Sequence, residues 1–245
     1  MESEMIEKES NTFYFKQFHI RQDRCAMKVG TDGVLLGAWA NVEGCSRMLD
    51  IGTGGGVIAL MLAQRAPAAQ VHAVEVEQEA FAQARENAAA SPWSDRVQVV
   101  HQAIQEYARS APQHYDLLVS NPPFFSGGVL SHNQDRNSVR HTVKLPHGEL
   151  LQAVQRLIAP KGRFCVILPY IEGLRFKEMA ASYHLYCVDL LQVRSRPEKP
   201  VERLLMQFEG EEGETRMRDL ILQGDGTSGW TAEYRALTGE FYLKM

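Results

Sequence analysis

The chain has 245 residues, 44% of them apolar and 23% charged, with a formal net charge of −4. That length supports a sizeable core in one large domain or two small ones. No uncharged apolar run reaches the roughly 18 residues of a membrane span, and the acidic balance excludes a general basic field for nucleic acid, so any RNA contact must be local.

In chain order, Met1–Ser10 is acidic and polar, the opposite of a signal peptide. Residues 1–12 read as a disordered or frayed end. Phe13–Ile20 alternates as a strand, and Lys28–Gly33 reads as a turn in which Thr31 or Asp32 can cap a helix over Val34–Ala40. The apolar run Met48–Ile51 then enters a glycine-rich turn, and an apolar helix runs from Val57 to about Arg65, stopping before Pro67. Gln70–Val76, Arg96–His101 and Tyr115–Ser120 read as further strands, with a helix over Glu77–Ala90. Ser126–Lys144 has no apolar period and reads as a long loop, a kind of segment that is often functional. A helix over His147–Ile158, a strand over Gly162–Pro169 and a helix around Glu172–Ser182 follow. Tyr186–Val193 and Leu204–Phe208 close the pattern as two strands with no helix between them, hence an antiparallel hairpin. Strands alternating with helices predict an α/β, doubly wound, mostly parallel sheet of seven strands with an antiparallel final hairpin.

Cys25, Cys45, Cys165 and Cys187 form no C-x-x-C pair and read as reduced thiols of a cytoplasmic protein. No pair of histidines has metal-ligand spacing, so no metal is expected.

Chemistry concentrates at two strand ends. The first is Asp50-Ile51-Gly52-Thr53-Gly54-Gly55-Gly56. A dinucleotide fingerprint starting at Gly52 would place its third glycine on Val57, so G-x-G-x-x-G fails. The pattern present is D-x-G-x-G-x-G, with Asp50, Gly52, Gly54 and Gly56 in place. It resembles motif I of the class I methyltransferases that use S-adenosylmethionine, in which an acid at the Asp50 position helps hold the ammonium end of the cofactor. Glu75 lies 25 residues on, at the end of the second strand of the core, where a carboxylate can accept both ribose hydroxyls. Glu77 and Glu79 are nearby alternatives at a helix start.

The second is Asn121-Pro122-Pro123-Phe124. Proline biases the residue before it towards extended backbone, so the Asn121 amide and the Pro122 carbonyl become fixed acceptors at a strand end. The stretch resembles motif IV, the N-P-P-Y/F of enzymes that methylate exocyclic amines or amides. Two acceptors on the amine hydrogens stabilise the positive charge that grows during transfer. Phe124 would stack on an unpaired or flipped base.

The resemblance narrows on further stretches. Phe15–Phe18, Arg24–Trp39, Ser91-Pro92-Trp93 and the terminal Ala236–Leu243 are similar to the bacterial tRNA(Val) (adenine-N6)-methyltransferase family. Its Rossmann-like methyltransferase fold would occupy residues 13–245 as a single domain, with a cofactor-covering segment at 13–47 and a core at 48–245. The resemblance implies transfer of a methyl group from S-adenosylmethionine to adenine N6, at the adenosine 3′ of the anticodon of valine tRNA. It assigns Asn121, Pro122 and Phe124 to catalysis and Thr31, Asp50, Gly52, Gly54, Gly56, Glu75 and Asn121 to the cofactor, Thr31 lying over its methionine end. Many relatives carry an acid after the third core strand; here Gln102, or the backbone of Ala103-Ile104, would have to serve the cofactor's adenine. Arg136, Arg140 and Lys144, in the long loop, are candidate tRNA phosphate contacts. The basic stretches Lys16–Lys28 and Arg194–Arg203 are candidates too.

Rival readings remain at this level. The Asn-Pro-Pro logic also serves guanine N2 of rRNA and a protein glutamine amide. Outside that chemistry stand an NAD-dependent oxidoreductase, disfavoured by the failed fingerprint, and a non-catalytic RNA-binding protein.

Overall fold

In a computed structural model the chain is described over residues 11–25, 27–111, 114–123, 145–224 and 229–245. The amino-terminal stretch is a hairpin of β1 (Thr12–Tyr14) and β2 (His19–Arg21), where the alternation predicted one continuous strand. The reversal lets Phe15 and Phe18 stack on each other, centroids 4.5 Å apart, with both rings buried. An unbroken strand would have carried the two rings to opposite faces.

Next come α1 (Thr31–Trp39), β3 (Arg47–Ile51), α2 (Val57–Arg65), β4 (Gln70–Glu75), α3 (Gln78–Ala90), β5 (Val97–His101) and α4 (Ile104–Ser110). The second half holds β6 (Tyr115–Ser120), α5 (His147–Leu157), β7 (Ile158–Pro169), α6 (Tyr170–Ala181), β8 (Tyr186–Arg194), β9 (Arg203–Glu209), β10 (Arg216–Ile221) and α7 (Ala232–Thr238). The main sheet runs β10-β8-β9-β7-β6-β3-β4-β5. Its pairs are parallel except those of β9 with β7 and β8, so β9 alone runs against the rest.

The final hairpin is present, but the sheet has eight strands where seven were expected. The addition, β10, buries only Leu220 among six residues and carries Arg216, Arg218 and Asp219. It pairs through its backbone at a sheet edge, where charged side chains are the normal protection against further pairing and erase the apolar alternation.

Helices cover both faces. Val34, Leu36, Leu60 and Leu62 of α1 and α2 pack with Met48 and Leu117 on one side. Ile104, Leu150, Val154 and Phe176 of α4, α5 and α6 pack with Leu49 and Leu118 on the other. The alternation Met48/Leu49 and Leu117/Leu118 is the period of two of strands buried on both faces.

The chain leaves β3 towards β4 and β5 on one side, then returns to build β6 and β7 on the other. The reversal lies between β3 and β6, the crevice where open α/β sheets take their ligands. Both motifs leave the sheet there, Gly52 directly after β3 and Asn121 directly after β6.

Candidate functional site

The glycine turn owes its form to backbone conformation. Gly52, Gly54 and Gly56 have φ of 70°, 56° and 87°, a region that side-chain-bearing residues rarely adopt. The turn is pinned to β4, because the N–H groups of Gly52 and Thr53 both donate to Val74 O, at 2.9 and 3.1 Å. Gly56 is the N-cap of α2 and has no side chain of its own to cap it; the Asp50 carboxylate takes one of the first helical N–H groups, that of Ala59.

Asp50 lies beneath this turn and is fully buried; it is not among the residues lining the clefts beside it. Its Oδ2 accepts from the Thr53 hydroxyl at 2.6 Å and from Ala59 N–H at 3.2 Å. Its Oδ1 is buried without a hydrogen-bond partner among the described residues. Burial pushes the carboxyl up to about 7; the bonds from Thr53 and Ala59 act against that, and the charge of Glu75 adds to it. An ionised Asp50 is therefore short of positive charge.

Glu75, at the end of β4, is anchored by the backbone. One oxygen accepts Gly54 N–H at 2.8 Å, and the other accepts Val76 and Glu77 N–H, both at 2.9 Å. It also lines a cleft of about 830 Å³ together with Gly52, Gly54, Gln102, Ala103, Asn121 and Pro122. The side chain that forms the wall thus also holds the glycine turn. A carboxylate has lone pairs for further donors beyond these three.

A second cleft, of about 490 Å³, is lined by Lys28, Thr31, Asp32, Thr53, Ser195 and Arg203 among others. The two share Met27, Gly52, Gly54 and Asn121. Asn121 thus stands where they meet, and its Oδ1 is buried with no partner among the described residues. Pro122 and Pro123 continue along the larger cleft.

Sequence-predicted residues of both motifs thus come together, with Thr31, Glu75, Gln102 and Ala103 around the two clefts. Two expectations change. Thr31 and Asp32 are not caps: Gly30 is the N-cap of α1, and Asp32 instead pairs with Arg203 at 2.9 Å, joining the helix start to β9. The basic stretch 194–203 is partly neutralised, since Arg194 pairs with Asp219 at 3.1 Å. Phe124, Arg136, Arg140 and Lys144 lie outside the described residues.

Sequence reasoning missed Thr53, whose hydroxyl holds Asp50, and Cys25, which lines the larger cleft and whose thiol burial pushes up to about 11. Neither carries a signal beyond its place beside a motif. Among the described residues no group of three or more His, Cys, Asp or Glu could hold a metal, and no helix is long and apolar enough to cross a membrane.

Comparison with known proteins adds the following. The methyltransferase small domain family matches residues 30–162. The tRNA1(Val) (adenine(37)-N6)-methyltransferase of Proteus mirabilis (strain HI4320) is 43% identical over 236 residues, covering 94% of this chain and 93% of its own. The protein of that name from Yersinia enterocolitica serotype O:8 is 44% identical over 233 residues, covering 94% and 92%. Among solved structures, a predicted O-methyltransferase from Agrobacterium tumefaciens superposes with a TM-score of 0.66 at 19% identity, over 86% of this chain and 96% of its own.

Proposed function

The chain belongs to the tRNA1(Val) (adenine(37)-N6)-methyltransferase family, and we propose that it transfers a methyl group from S-adenosylmethionine to adenine N6 in valine tRNA, at the adenosine 3′ of the anticodon. The observation that carries the reading is the Asn121 side-chain oxygen, buried without a partner among the described residues at the junction of two clefts. A buried acceptor left unpaired is costly, and an amine donor from a substrate would satisfy it.

The residues of the larger cleft fit the cofactor. Glu75 offers acceptor capacity for ribose hydroxyls, Gln102 and Ala103 flank the adenine end, and the glycine turn with the start of α2, where Gly56 brings no side chain, suits the carboxylate of the amino-acid end. Asp50, with one oxygen unpartnered among the described residues, supplies the negative charge that favours an ammonium above it. Thr31 lines the adjoining cleft at the methionine end. When bound, S-adenosylmethionine supplies an electrophilic methyl group on a sulfonium.

What the protein itself does is hold acceptors. Asn121 Oδ1 and the Pro122 carbonyl accept from the two hydrogens of the adenine amine, turning its lone pair out of conjugation and towards the methyl donor. As the nitrogen becomes positive these dipoles stabilise it, and because they are already fixed they need no reorganisation; one of the two amine hydrogens then leaves as a proton to solvent. Phe124 stacks on the base, and Arg136, Arg140 and Lys144 hold tRNA phosphates. Residues 13–245 act as one methyltransferase unit. The test is nucleoside analysis of valine tRNA from cells lacking the protein: N6-methyladenosine disappears from the anticodon loop if the reading holds, and persists if it does not.

A further inference from the structure

One helix, α3, is hydrogen-bonded to both the amino-terminal segment and the glycine turn. Asn87 is 1% exposed and makes three hydrogen bonds. Its Oδ1 accepts Arg21 N–H at 3.0 Å, and its Nδ2 donates to Arg21 O at 2.9 Å and to Gly55 O at 2.8 Å. One turn earlier, on the same helix face, the fully buried Gln83 accepts Arg24 N–H at 3.1 Å. Nearer solvent, Arg24 and Arg21 pair with Glu86, whose side chain is 44% exposed.

Beyond Arg24 the segment closes on itself, Val29 N–H donating to the Gln22 side chain at 2.8 Å. Cys25 lines the larger cleft, and Gln22 and Val29 line the smaller. The segment rests directly on the turn, since a Cβ on Gly55 would stand 3.3 Å from Cys25 Sγ and 3.6 Å from Ile20 Cγ2.

We propose that Asn87, assisted by Gln83, is a positioning residue for the cofactor, joining the amino-terminal segment to the glycine turn so that one buried carboxamide sets the place of both. The inference rests on the reading that this turn takes S-adenosylmethionine. Its chemistry is specific, because only a carboxamide offers an acceptor to Arg21 N–H together with two donors for Arg21 O and Gly55 O. Gly55 lies between Gly54, whose N–H is held by Glu75, and Gly56, which caps α2. Loss of the Asn87 bond therefore loosens the turn between its two fixed points and frees the segment that closes over it. Asn121, at the end of β6, is not bonded to Asn87, so cofactor affinity should change while the chemical step is spared.

The test compares Asn87→Leu, Gln83→Met and Glu86→Gln. S-adenosylhomocysteine binding is measured by calorimetry, and initial rates with saturating tRNA from cells lacking the protein. Asn87→Leu should raise both the dissociation constant and the KM for S-adenosylmethionine tenfold or more, with kcat within twofold of the parent. Gln83→Met should shift in the same direction by about threefold, and Glu86→Gln should stay within twofold. A folded Asn87→Leu with both constants within twofold overturns the proposal, as does a loss of kcat at unchanged affinity. If circular dichroism shows that Asn87→Leu does not fold, Gln83→Met decides: a shift under twofold overturns it. Failure of the parent protein to bind S-adenosylhomocysteine would instead reject the cofactor reading beneath it.

Discussion

The Ser120 hydroxyl donates to the Ile51 carbonyl at 3.0 Å, joining the last residues of two adjacent parallel strands, both side chains 1% exposed. The residue after Ile51 is Gly52, which opens the glycine turn, and the residue after Ser120 is Asn121. This buried hydrogen bond therefore adds to the β3–β6 ladder in fixing how the two motifs stand to each other. Ser120→Ala should cost about 1 kcal/mol of stability, the usual net worth of such a bond. Urea unfolding checks it, and an unchanged midpoint and slope would contradict it.

Asn121→Ala should remove transfer while leaving the cofactor in place. Loss of a preorganised acceptor costs roughly a hundredfold or more in rate. S-adenosylhomocysteine affinity, measured by calorimetry, should stay within about threefold, since Glu75 and the glycine turn are untouched. Near-normal turnover in this variant would refute the role given to Asn121.

Glu75→Ala should weaken S-adenosylhomocysteine binding by about 1–3 kcal/mol, the scale of charge-assisted hydrogen bonds. The effect has two sources, lost ribose acceptors and a Gly54 N–H left without its carboxylate. Unaltered affinity in calorimetry would exclude both.

Asp50 sets a pH dependence. Its carboxyl is pushed up to about 7 in the ligand-free protein, and it must be ionised to favour an ammonium. Affinity for S-adenosylhomocysteine should therefore fall about tenfold from roughly pH 8 to roughly pH 6, as protonation competes. Asp50→Asn should bind more weakly and with a flat profile. The same shift makes the ligand-free protein lose stability as pH rises from about 4 to about 7, because the unfolded chain gives up its proton first. Affinity independent of pH in the parent protein would contradict this account.

Much of the candidate site's geometry was legible because its residues sit where the chain is locally simple. Asp50 through Gly56 and Asn121-Pro122 are contiguous, and each follows an apolar strand whose end is marked by glycine or proline. Contacts between distant segments were not legible. Asn87 reads as one polar residue in a polar, alanine-rich helix, and nothing local says that it faces Arg21 and Gly55. The Asp32–Arg203 pair spans 171 positions and turned a presumed helix cap into a cross-link. The edge strand β10 was hidden by its own charges, two of its arginines meeting Asp189 of β8 at 2.5 and 2.7 Å. Local pattern reports strands that bury a face, and β10 hardly does.

Arg140→Ala combined with Lys144→Ala should weaken tRNA binding and flatten its salt dependence, because phosphate contacts release counterions. Cofactor affinity should be unchanged. Filter binding over a range of salt concentrations checks it, and an unchanged slope would remove these residues from the RNA contact.

The central claim is transfer to adenine N6 from the Asn121 corner. Its most direct measurement incubates the parent protein and Asn121→Ala with methyl-labelled S-adenosylmethionine and total tRNA from cells lacking the protein, then digests the RNA to nucleosides. The account predicts label in N6-methyladenosine from the anticodon loop of valine tRNA with the parent, and none above background with the variant. Label in N2-methylguanosine, label only in protein, or equal N6-methyladenosine from both proteins would contradict it.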